Sequence, residues 1–223
     1  MRKFLTPLAT VVILMVVQAG ASVVTSLPGG TVIPIPAIDC SPPLFACFGP
    51  GPFTFGPEVT WTSTNAFNGG GAVFGFTAAF SFGGNGMWTG ALGPMADVNS
   101  STDIYGTTDS MTFAFTKPVS AVGGFLNYVP GSSTPTTIAV YDSHGNLIEP
   151  PFNLTFLTGG GTDSGSFFGF KESSADISFF TLTDNFIGIR DLTVAAVPEP
   201  SSLFLIGSGL LGVIGFSRRR LGL

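Results

Sequence analysis

From Val59 onward, apolar and polar residues alternate with a period of two, the spacing of strands with one buried face. Val59 and Trp61 oppose Thr60 and Thr62. Phe74, Phe76, Ala78, Phe80 and Phe82 share one parity and form an aromatic stripe, which reads as core. Met111, Phe113 and Phe115 alternate into a turn expected at Lys117-Pro118. Further strands are predicted at Ala121 to Val129, at Thr136 to Tyr141 with Ile138 and Val140 inward, and at Phe167 to Lys171, Asp176 to Thr183 and Phe186 to Val194. Between two of these, Asp142-Ser143-His144-Gly145-Asn146 predicts a reversal, because Gly145 and Asn146 tolerate positive φ. No internal segment sustains helical periodicity. Short strands joined by Gly, Pro, Asn and Asp turns predict an all-β chain, an antiparallel two-sheet β-sandwich over 58–196.

The segment 22–57 differs. Ile33-Pro34-Ile35-Pro36 and Phe48-Gly49-Pro50-Gly51-Pro52 punctuate it, predicting an extended Pro/Gly-rich lead-in with one edge strand. Its Cys40 and Cys47 are the only cysteines, and in an oxidising compartment a disulfide across that short loop is the expectation.

Both ends of the chain are apolar with basic flanks. Arg2 and Lys3 precede an apolar run from Phe4 to Val17, followed by Ala19-Gly20-Ala21, small residues that a signal peptidase accepts; cleavage after Ala21 is expected, making 1–21 a signal peptide. At the other end, 197–223 has three parts in order: Val197-Pro198-Glu199-Pro200, the apolar stretch Leu203 to Phe216, and Arg218-Arg219-Arg220. The prolines keep the first part extended. Each apolar run spans only about 21 Å as a helix, short of a hydrocarbon core of about 30 Å, which favours removal over residence. The basic clusters place the domain between them on the far side of the membrane.

That three-part order resembles the PEP-CTERM sorting signal of Gram-negative bacteria that make extracellular polysaccharide. The resemblance implies an exosortase, a membrane-embedded cysteine-protease-like transpeptidase, acting near Pro198-Glu199-Pro200, and delivery to the cell surface or matrix. Met111 to Gly123, Val140 to Asn146, and Phe168-Gly169-Phe170 through Ile187 to Leu192 also resemble the jelly-roll domain common in PEP-CTERM proteins. The sandwich is thus expected to be jelly-roll-like, flanked by an N-terminal signal helix and a C-terminal hydrophobic helix.

Charge narrows the partners. Charged residues are 9% of the 223, and five of the eight basic ones lie in the two end segments. Lys117, Lys171 and Arg190 then face twelve acidic residues between Ser22 and Val197, a domain charge of −9. Such a surface repels nucleic acid and can attract divalent cations.

Recognisable catalysis is missing. His144, the only histidine, falls in the reversal, and no metalloprotease, P-loop or nucleophile-elbow spacing occurs. No catalytic residue and no enzyme are expected. Glu58, Glu149 and Glu172 are the eligible glutamates for glycoside hydrolysis, with nothing in the sequence fixing their separation. Calcium is the one cofactor to consider: Asp97, Asn99, Ser101 and Asp103 offer oxygens at alternate positions, and Asp191 is a second candidate through the jelly-roll resemblance. The leading expectation is a non-enzymatic adhesion or matrix component. The alternative is carbohydrate binding, with Trp61, Trp88, Tyr105, Tyr128 and Tyr141 available to stack on sugars.

Overall fold

The computed structural model describes residues 21–36, 51–56, 58–64, 80–99, 108–131, 135–162, 165–184 and 186–196. Within them the regular structure is strand, apart from two single-turn 3-10 segments at Gly83–Asn85 and Gly90–Leu92. In chain order the strands are β1 (Ser22–Val24), β2 (Thr31–Val32), β3 (Phe53–Phe55), β4 (Val59–Ser63), β5 (Phe80–Ser81), β6 (Met87–Trp88), β7 (Met95–Asn99), β8 (Ser110–Val119), β9 (Ala121–Tyr128), β10 (Thr137–Tyr141), β11 (Phe152–Asn153), β12 (Ser166–Lys171), β13 (Ile177–Thr183) and β14 (Phe186–Ala195).

Two six-stranded antiparallel sheets hold almost all of them. The first runs β1-β12-β9-β14-β2, with β7 also on β14; the second runs β11-β10-β13-β8-β4-β3. Strand alternation explains their union. Val122, Leu126, Tyr128, Phe170, Ile187 and Ile189 from the first sheet share one buried cluster with Trp61, Met111, Phe113, Ile138, Phe180 and Leu182 from the second. Residues of opposite parity face outward, so each sheet is apolar on the side that meets the other. The result is a β-sandwich-like fold.

Two sequence expectations need correction. The segment 22–57 supplies three short strands rather than one, and they close edges of both sheets: β1 on β12, β2 on β14 and β3 on β4. The β8–β9 reversal sits at Ser120, because β8 continues through Lys117 and Pro118 to Val119. Pro118 lies between Ala114, paired with Phe179, and Val119, paired with Ile177, where the register shifts, so its missing N–H falls at an irregularity in the ladder. Asp97 and Asn99 belong to strand β7.

A smaller layer covers the outer face of the first sheet. The β5–β6 hairpin places Phe82 and Trp88 edge to face, ring centroids 4.9 Å apart, in a second buried cluster with Met95. Gly188 on β14 makes the room: a Cβ there would lie 2.9 Å from both Phe82 and Trp88. Of the aromatic stripe, 74–79 lie outside the described residues, while Phe82 is core as expected. Nearby, the chain from Thr25 to Gly30 crosses from β1 at one edge to β2 at the other.

Candidate functional site

Cross-strand register puts the two ends of the folded domain on one row. Ser22 pairs with Lys171, Lys171 with Ala121, and Ala121 with Ala195. Three inter-strand steps separate Ser22 from Ala195, about 14 Å. The segment expected to be a signal peptide therefore meets the same end of the sheet as the strand from which the sorting tail departs, with β12 and β9 between them. Ala21 is described, packing against the core; Ala19 lies outside the described residues.

The tail junction is fixed by Ser120. Its N–H and its hydroxyl both donate to the Ala195 carbonyl, each at 2.9 Å, while its own carbonyl accepts from Glu172 N–H at 2.7 Å. β14 thus stays ordered to within two residues of Val197. Beside the junction lies a groove of about 280 Å³ floored by Ile33, Val59, Phe115 and Val119, walled by Ala196, and carrying the exposed Glu58 and Lys117. Val197, Pro198, Glu199, Pro200 and Arg218, Arg219, Arg220 lie outside the described residues, as do Cys40 and Cys47 with their expected disulfide.

The aromatics considered for sugar stacking were equally eligible as core residues, and the structure divides them. Trp61 and Trp88 are 0% and 2% exposed and Tyr128 is 5% exposed, so all three are packing residues. Tyr128 donates to the Phe156 carbonyl at 2.9 Å. Tyr141 is half-buried at the end of β10, and Tyr105 lies outside the described residues. Phe125 and Phe167 are half-buried on the outer face of the first sheet, with centroids 5.7 Å apart. They line a second groove, of about 630 Å³, with Leu27, Pro28, Phe168 and the hydroxyls of Thr25, Ser26 and Ser166. Arg190 lies over the other side of Phe125, 5.3 Å from its ring centroid. Isolated Phe residues carry no sequence signal for this; only register brings them together.

The calcium candidates do not converge among the described residues, where no group of three His, Cys, Asp or Glu could hold a metal ion. Asp97 is wholly buried on the face of β7 it shares with Met95, and neither carboxyl oxygen has a hydrogen-bond partner. Burial raises its pKa well above the ordinary aspartate value, because desolvation disfavours the charged form. Asp191 occupies a bulge in β14 at φ 52° and pairs with Arg190 at 3.3 Å. The side chain of Asn99, with Ser101 and Asp103, lies outside the described residues.

His144 stands at an exposed turn tip. Asp142 organises that turn, accepting from the N–H groups of His144 and Asn146 at 2.8 Å each and from the Asn146 side chain at 2.9 Å. The Asn146 amide, then its N–H, hold the Asp142 carboxyl below the ordinary range. Of the glutamates, Glu58 is exposed beside the junction groove, whereas Glu172 is buried and raised, first by desolvation and then by the charges of Glu149 and Asp176. No helix among the described residues is long and apolar enough to cross a membrane.

No curated protein and no solved structure matches the chain. One comparison does match, and it begins where β14 ends: residues 196–220 correspond to the PEP-CTERM protein-sorting motif, so this chain is a β-sandwich-like protein carrying that sorting motif directly after the last described strand.

Proposed function

We propose that the chain is an exported, exosortase-sorted protein of the cell surface or extracellular matrix, with a non-enzymatic role in adhesion or matrix structure. One observation carries this reading: the sorting motif at 196–220 begins one residue after Ala195, the last residue of β14. The domain and its address are contiguous. Signal peptidase and an exosortase are the partners the reading requires, and the tail anchors the chain to the membrane until it is processed. The test is deletion of Pro198 to Leu223. Retention of the deleted chain in the periplasm supports the reading; unchanged processing and surface delivery overturn it.

A second reading, carbohydrate binding, is supported by the groove at Phe125 and Phe167. Aromatic faces beside the hydroxyls of Thr25, Ser26 and Ser166 match the apolar faces and hydroxyl edges of a sugar ring. Glycan-array binding lost in Phe167→Ala supports it. Binding unchanged by that substitution removes this groove as the site.

A further inference from the structure

We propose that the end of the sandwich carrying Ser22, Ser120 and Ala195 faces the membrane, and that the groove beside Ala196 is where the enzyme that processes the tail docks. The proposal rests on the reading of 1–21 and 197–223 as export segments. Both leave the same row of the same sheet, about 14 Å apart, so one end of the domain meets both membrane attachments.

Reach makes the contact unavoidable. Ser120 holds Ala195 in place. Pro198 and Pro200 follow Ala195 by three and five residues, within about 11 and 18 Å even when fully extended. Leu203, the first residue of the apolar stretch, is within about 29 Å, less than the roughly 33 Å length of ten-residue β14. A membrane-embedded enzyme acting on Pro198 to Pro200 must therefore abut this end of the domain.

The surface it meets has the character of a contact site. Ala196 forms part of the groove wall, so the motif starts at the groove itself. Ile33, Val59 and Phe115 offer an apolar floor, while exposed Glu58 and Lys117 add one charge of each sign. Among the described residues neither charge has an ion-pair partner. An apolar side chain of the enzyme flanked by complementary charges fits that arrangement.

Pulse-chase processing in the producing cell tests this with three full-length chains: the unaltered protein, the charge exchange Glu58→Lys with Lys117→Glu, and an insertion of eight Gly/Ser residues between Ala196 and Val197. Conversion of precursor to processed protein is expected to slow about fivefold or more in both altered chains. Equal or faster conversion of the insertion chain overturns the proposal, because the motif would then be read as a free peptide. Melting of the purified domains separates docking from folding: if the charge exchange lowers the melting temperature, the insertion decides. An unaltered chain that is never processed would instead remove the export reading itself.

Discussion

Ser120 holds Ala195 twice, through its N–H and through its hydroxyl, at 2.9 Å each. This pair joins the β8–β9 reversal to the last residue of β14, immediately before the sorting motif. Replacing Ser120 with Ala removes the hydroxyl bond and keeps the N–H bond. A loss of about 1 kcal/mol is expected, lowering the melting temperature by about 2–4 °C. Hydrogen exchange would show the same change locally, as faster exchange at the end of β14 with the middle of β13 unaffected.

Asp97 makes stability depend on pH in an unusual direction. Its pKa is raised on folding, so the folded state binds this proton more tightly than the unfolded state. Its contribution is therefore neutral below the ordinary aspartate range and turns unfavourable as pH rises above it, up to the raised folded pKa. Within that window the unfavourable contribution grows with every rise in pH. Asp97→Asn should melt close to the parent near pH 4 and above it at pH 7, with the gap widening between. A constant gap across that range would show that the Asp97 pKa is not raised.

Asp142 acts oppositely and is separable. Its pKa is lowered by its turn hydrogen bonds, so its stabilisation is present above the ordinary value and lost as pH falls through the lowered one. Asp142→Ala should open 142–146 to limited proteolysis near His144, with the melting temperature changed little, since the carboxyl is exposed to water.

Gly169 sets how closely β12 and β9 approach. A Cβ there would lie 2.1 Å from the Val122 carbonyl oxygen and 2.6 Å from the Gly123 Cα, both backbone atoms. Gly169→Ala should cost about 3 kcal/mol or prevent folding. Gly159, with nothing within 4 Å of such a Cβ, is the matched control and should accept Ala without loss.

The long strands were legible in the sequence: β9, β10, β12, β13 and β14 fall where predicted, within a residue or two, while β8 runs on through the turn expected at Lys117-Pro118. β1, β2 and β3 have two or three residues each, too few for a period, and exist because longer neighbours offer an edge. β7 was hidden differently. Its Ala96 and Val98 face the main core, but Asp97 breaks the apolar pattern on the other face, which is buried only because the β5–β6 hairpin covers it. Trp61 and Trp88 look like binding aromatics in isolation and prove to be packing residues, since composition says nothing of which face a side chain occupies. The sorting tail was the most legible feature, because its three parts are recognised by their order along the chain.

The central claim, that this sandwich is delivered outside the cell by removable end segments, is tested most directly by the intact mass of the protein recovered from the cell exterior. The account predicts a chain beginning at Ser22 and ending at or near Pro198 to Pro200, without the apolar stretch from Leu203 and without Arg218, Arg219 and Arg220. A recovered mass that still includes Leu203 to Leu223 would contradict it.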